Sequence, residues 1–189
     1  SVLQALPVDA LLTSLPDLDP LLLMAERAYR CVAGQEWEWD GVRFEMLHPG
    51  PWMNVATTND NNRGCVLKIS SRAGSMLLPA DIEQETEFEL TRQSRDALAS
   101  DVLLAPHHGS KTSSSDAFLR AVQPQFIMVS AGYRNRFGHP KREILDRYVA
   151  AGAMVFRSDR DGAVTFRFGD ARVQAEGYRQ THQRYWYGR

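Results

Sequence analysis

The residues best suited to chemistry are two adjacent histidines, His107 and His108, in the stretch D-V-L-L-A-P-H-H-G-S-K-T-S-S-S, residues 101–115. Val102, Leu103 and Leu104 read as a short buried strand that stops at Pro106. Functional side chains in α/β proteins gather just past the C-terminal ends of strands. On an extended backbone neighbouring side chains point to opposite sides, so one imidazole is expected to face a site and the other to be held in place. Lys111, with Ser110 and Thr112, offers an ammonium and hydroxyls that can hold a phosphate. Asp81 ends another strand in L-L-P-A-D, and His139 precedes a helix in N-R-F-G-H-P. Imidazole and carboxylate ligands arriving from loops at one sheet edge suit Zn²⁺ or Mn²⁺. Two such ions roughly 3.5–4 Å apart can clamp the attacking and leaving oxygens of a phosphodiester hydrolysis.

On that reading Asp81, His107, His108 and His139 are metal ligands, and Asp81, His108 and Lys111 are the catalytic groups. Ser110, Lys111, Thr112, Arg134 and Arg136 are the nucleic-acid contacts, the last two from the loop Tyr133-Arg134-Asn135-Arg136-Phe137. A plainer reading fits the same residues: a surface loop whose serines cap a helix near Ser115, His139 as a turn residue, and loop aromatics packed down. The C-terminal Y-R-Q-T-H-Q-R-Y-W-Y-G-R interleaves aromatics with Arg, as base-stacking segments do; it also reads as a tail docked on its own domain.

The elements that must position these groups can be read from pattern. Residues 1–6 finish a helix, Val8–Ser14 is a strand, and Leu21–Tyr29 has a helical pattern. Glu36–Trp39 and Val42–Leu47 flank Asp40-Gly41, a two-residue hairpin signal. His48-Pro49 reads as a turn and residues 54–63 as an exposed polar loop. Gly64–Ser70 and Ser75–Leu78 form a second strand pair. A helix is expected from Glu83 to Leu98, its early glutamates explained by the helix macrodipole. Strand Asp101–Ala105, helix Ser115–Val122, strand Gln125–Ala131, helix Lys141–Ala151 and strand Ala153–Arg157 then alternate as in βαβ units. Asp161-Gly162 and Gly169-Asp170 signal hairpins onward to Ala163–Phe168 and Arg172–Glu176, an antiparallel edge.

At 189 residues, with 43% apolar and 24% charged side chains, the composition is that of one ordinary globular domain. Residues 1–176 are expected to form that domain and 177–189 a tail. A net charge of −1 does not announce a nucleic-acid binder. No apolar run of about eighteen residues occurs, so no segment reads as a transmembrane helix. Cys31 and Cys65 make no CxxC motif, which excludes zinc-finger chemistry. They read as two small buried hydrophobes, a single disulfide being the alternative in an oxidising compartment. The opening S-V-L-Q-A-L-P looks like a helix already under way, and a piece of a longer protein is expected.

L-L-P-A-D-I-E, D-V-L-L-A-P-H-H-G-S-K-T-S-S-S, N-R-F-G-H-P and S-D-R-D-G-A-V-T-F, in this order, resemble the metallo-β-lactamase-like domain of the ComEC family, bacterial DNA-uptake channel proteins of competence. The resemblance runs from about residue 1 to 170. It implies an αββα sandwich of mixed α/β class with a metal site at one edge between two sheets. It also implies Asp81 as the bridging carboxylate, and His107 or His108, and His139, as the later histidine ligands. The superfamily's H-x-H-x-D-H motif is missing, and its upstream strands are expected to be missing with it. Pro79-Ala80-Asp81 replaces the usual Thr-Gly-Asp. The implied activity is metal-dependent hydrolysis of the non-transported DNA strand, with this chain inactive alone. The alternatives are a non-catalytic DNA-guiding module of the channel, and, more remotely, a hydrolase of lactam or thioester bonds. Implied partners are single-stranded DNA, the rest of a membrane channel and a second copy of the chain across an exposed sheet edge. The family places the soluble part on the extracytoplasmic side of the inner membrane.

Overall fold

A computed structural model describes residues 2–16, 19–51, 53, 58–169 and 172–184. Helix α1 (Val2–Ala5) leads to strand β1 (Ala10–Thr13), which pairs in parallel with β2 (Arg27–Arg30). The hairpin β3 (Glu36–Trp39) and β4 (Val42–His48) turns at Asp40 and Gly41, both with positive φ, as a primed two-residue turn requires. Next come β5 (Val66–Ser71), β6 (Gly74–Leu78), helices α2 (Gln84–Gln93) and α3 (Arg95–Leu98), and β7 (Val102–Leu104). Helix α4 (Asp116–Val122), β8 (Phe126–Val129), α5 (Arg142–Ala150), β9 (Met154–Arg157) and the short α6 (Ser158–Asp161) follow. A hairpin of β10 (Val164–Phe168) and β11 (Val173–Gly177) precedes the final turn α7 (Tyr178–Thr181).

The class is mixed α/β around one seven-stranded mixed sheet in the order β3-β4-β5-β6-β7-β8-β9. Pairs up to β5–β6 are antiparallel, and β6 through β9 run parallel. Because side chains alternate along a strand, the register divides the parallel strands into two faces. Leu77, Leu103, Ile127 and Val155 lie in one row across β6–β9 and pack against Leu90, Phe118, Ile144 and Tyr148 of the helices. Met76, Val102 and Phe126 face the other way, where Val164, Phe166, Val173 and Ala175 of the β10–β11 hairpin cover them. Strands buried on both faces explain the unbroken apolar runs V-L-L and F-I-M-V. The layers are therefore helices, large sheet and small two-stranded sheet.

Several local expectations are corrected. Leu21–Tyr29 is not a helix: a 3-10 turn over Pro20–Met24, capped by Asp19, gives way to strand β2. The single helix expected over Glu83–Leu98 breaks at Ser94 into α2 and α3. Asp161-Gly162 does not return β9 onto itself. Ser158–Asp161 makes a helical turn, and the chain crosses to the second layer, so the sheet ends on a parallel strand. Cys31 and Cys65 form a disulfide with Cα atoms 5.8 Å apart, against the reading of two unlinked hydrophobes. Part of the 54–63 stretch lies outside the described residues. Of its remainder Asn59 and Asp60 are exposed as expected, whereas Asn61–Arg63 is a 3-10 turn with Asn62 buried.

Candidate functional site

Strands β6, β7 and β8 are parallel neighbours, so the segments leaving them emerge on one edge. After β6 the chain turns through Ala80, whose φ of 53° is in the left-handed region. That is the conformation glycine adopts freely, held here by an alanine between Pro79 and Asp81. The Cβ of Ala80 leaves no room for a side chain at Gly64, where one would come within 2.9 Å of it. After β7, His107 and His108 both have positive φ (46° and 57°), so they do not alternate as on an extended strand. Gly109, also at positive φ, lets Pro140 approach so closely that any Cβ there would lie 2.7 Å from the proline Cβ. The Lys141 amide donates to the Gly109 carbonyl at 3.0 Å, which fastens the His139 loop to the His107–His108 loop.

The four metal-ligand candidates thereby share one rim. His108 Nε2 lies 3.6 Å from Asp81 Oδ1, with side chains 50% and 45% exposed, while His108 Nδ1 meets the Ser130 carbonyl at 2.8 Å. The His107 and His139 rings stand edge to face with centroids 5.8 Å apart. The Asn135 side chain bonds both the amide and the carbonyl of His139. Burial, then the charges of Lys141, His107 and His108, hold the His139 imidazole below its ordinary pKa against the pull of Asp81. The neutral ring, which is the ligating form, is thus favoured.

Glu83 was not among the candidates, and the structure sets it in the rim. Its Oε1 is 3.5 Å from His107 Nδ1 and accepts from Thr112 Oγ1 at 3.0 Å, and Asn59 and Asn61 reach the same carboxylate. Asn62 accepts from the Glu83 amide at 2.8 Å, and His48 Nε2 meets the Asn62 carbonyl at 2.8 Å. His48 is therefore a buried strand-end residue supporting the asparagine segment and not a surface turn. The signal was in the sequence: an acid preceding the helix, paired with an Asn-rich segment that has no apolar role of its own.

Imidazole and carboxylate donors suit Zn²⁺ or Mn²⁺, yet no group of three or more His, Cys, Asp or Glu converges closely enough to hold an ion among the described residues. The side chains form two pairs, Asp81 with His108 and Glu83 with His107. These residues do not by themselves complete a metal centre.

The second half of the serine run is structural. Ser113 Oγ donates to the Ile82 carbonyl at 2.7 Å, Ser114 Oγ meets Tyr148 Oη at 2.7 Å, and Ser115 caps α4 through the Phe118 amide. Glu87, fully buried, accepts from the amides of Ser114 and Ser115. Burial pushes its carboxyl above the ordinary range against those hydrogen bonds and Arg147. Ser110 is also buried, its hydroxyl 3.1 Å from Thr112 Oγ1, so it is closed to a nucleic-acid strand, whereas Lys111 and Thr112 are exposed. Tyr133 and Phe137 are 71% and 60% exposed and do not pack down. Arg134 lies over the Tyr133 ring and Arg136 over the Phe137 ring. The tail from residue 185 lies outside the described residues.

The fold and rim together are a mixed-sheet α/β scaffold with histidines and carboxylates at one edge. The chain is 38% identical over 161 residues to competence protein ComA of Neisseria gonorrhoeae, covering 85% of this chain and 23% of that protein. It is 33% identical to recombination protein 2 of Haemophilus influenzae (84% and 19% covered) and 33% to ComE operon protein 3 of Bacillus subtilis (67% and 16%). The chain belongs to the ComEC family of competence proteins. It spans about a fifth of the length of these relatives. A candidate metal-dependent hydrolase from Parabacteroides distasonis aligns with 83% of this chain and 79% of its own at 15% identity and a TM-score of 0.48. No protein-family model matches.

Proposed function

We propose that this chain is part of a metal-dependent nuclease-like domain of a competence DNA-uptake channel, acting on phosphodiester bonds of the non-transported strand. The observation that carries the reading is the approach of Asp81 and His108 to 3.6 Å, half-exposed, beside the His107–His139 pair. In the parent protein Asp81, His107, His108 and His139 would contribute part of a ligand set for Zn²⁺ or Mn²⁺, an ion that would supply Lewis-acid activation of water and charge neutralisation at the phosphate. The exposed Lys111 and Thr112, with Arg134 and Arg136 across the loop, bind the strand's phosphates and orient it. Glu83 holds Thr112 and faces His107, which keeps that loop in register. The donors form pairs and not a closed set, so the 189 residues alone hold at best one weakly bound ion and do not cleave. Residues 1–176 act as one partial domain, and pairing of two copies through the β3 edge would cover its open strand. The Cys31–Cys65 disulfide supports an extracytoplasmic position, because such bonds persist in oxidising compartments. Among the described residues no helix is long and apolar enough to cross a membrane.

The second reading, a DNA-guiding module without catalysis, is favoured by that same lack of a closed ligand set. The parent protein, including the residues upstream of this chain, separates the two when single-stranded DNA is incubated with Mn²⁺ or Zn²⁺ beside an Asp81→Ala variant. Cleavage that depends on Asp81 is expected. Cleavage that survives in the variant removes the rim from the chemistry, and bound metal without cleavage favours the guiding module.

A further inference from the structure

The outer face of the helix layer carries a groove of about 630 Å³ that the nuclease reading does not use. Leu119, Pro124 and Ala150 give it an aliphatic floor, and three guanidiniums line it: Arg95 of α3, Arg120 of α4 and Arg147 of α5. Asp116 is the one acid in the lining among the described residues, and it is already engaged, its Oδ1 lying 3.4 Å from Arg147 Nε. Arg147 is further fixed by donating to the Ser114 carbonyl at 2.6 Å. Arg95 and Arg120 are exposed, and among the described residues neither has an ion pair. Guanidiniums gathered about one hollow repel one another, and their planar forks match the oxygens of a phosphate.

We propose that Arg95 and Arg120 form a second anion-binding groove that takes the phosphodiester backbone of a nucleic-acid strand, without regard to base sequence. Among the described residues no aromatic side chain lines the hollow, so the lining offers a base no ring to stack on and its guanidiniums offer a phosphate their forks. Its volume is in the range of sites that enclose a whole organic ligand, more room than one inorganic phosphate requires. Its Asp116 end adjoins the loop of the exposed Lys111 and Thr112, because α4 begins where that loop ends. A strand held at the rim can therefore continue over the start of α4 into the groove. The choice of nucleic acid as ligand rests on the proposed function; the phosphate chemistry rests on the arginines.

The test is binding of a labelled single-stranded oligonucleotide to the 189-residue chain in chelator, over a range of salt, for wild type and an Arg95→Gln/Arg120→Gln variant. Both positions are exposed, so thermal melting should be unchanged. At low salt the affinity should fall about tenfold. The log–log salt slope should shrink by about 1.4, at roughly 0.7 for each single-strand phosphate no longer neutralised. An Arg95→Lys/Arg120→Lys variant, which keeps the charge without the fork, should fall less. Unchanged affinity and slope in the Gln variant overturn the groove. Lost binding to phosphatidylglycerol vesicles with oligonucleotide binding intact reassigns the groove to a lipid headgroup and also overturns it. Arg134→Gln/Arg136→Gln, measured alongside, separates this from the rim. If only the rim pair weakens binding the groove falls and the rim stands, and if only the groove pair does the reverse holds.

Discussion

The two halves of one loop behave in opposite ways. From His107 to Thr112 the polar side chains other than the buried Ser110 stand at a partly exposed rim, where His107, His108 and Thr112 have partners at 2.8 to 3.6 Å. From Ser113 to Ser115 they are turned inward and held by the Ile82 carbonyl, Tyr148 and the buried carboxylate of Glu87. A buried polar group must be satisfied internally or it destabilises the fold, so the inward half is committed to structure. The outward half keeps water as its alternative partner and can exchange it for a ligand. The same serine-rich string thus contains both a scaffold and a site, and burial separates them.

If that division is right, changes on the sealed side should cost much stability and changes at the rim little. The largest loss is expected for Cys31→Ser/Cys65→Ser, because the disulfide closes a loop spanning 34 residues. A loop of that length is worth about 3–4 kcal/mol, readable as a lower urea midpoint. Glu87→Gln comes next. It turns an amide NH₂ toward one of two buried N–H groups, at about 2–3 kcal/mol, which is a fall in Tm of roughly 4–12 °C. His48 gives a third, pH-dependent loss. Burial lowers its folded pKa below the ordinary 6.5 against the hydrogen bond to Asn62. Its contribution to stability is therefore full above that value and disappears as the pH falls through the folded pKa. Between roughly pH 7.5 and pH 5 the wild-type Tm should drop more than that of His48→Gln. Asp81→Ala should do least to the fold, within about 0.5 kcal/mol, while lowering the uptake of Zn²⁺ measured by titration. A melting loss at Asp81 equal to that at Glu87 would abolish the distinction between rim and scaffold.

Much of the arrangement was legible in the chain. Asp40-Gly41 marked its hairpin and Ser115 its helix cap. The apolar runs before Asp81, before His107 and over residues 126–129 marked strands, since strand and helix periods are local properties of the sequence. Legibility failed where a partner distant in sequence decided the outcome. Residues 27–30 extend because β1 offers them a ladder, not because of their own pattern. Glu83 looked like a first-turn acid, and only the folded chain brings His107, Thr112 and the asparagines to it. Ser110 looked like a phosphate ligand until packing closed it off.

By itself the amino-acid sequence determined which groups could do chemistry here and that they follow strands, because residue type and periodicity are written locally. Only the tertiary structure decided which of them meet. Gly109 admits Pro140, and that close approach brings His139 beside His107 although they lie 32 positions apart in the chain. Whether a given hydroxyl or carboxylate faces water or the core was settled there too, because burial is a property of the packed whole.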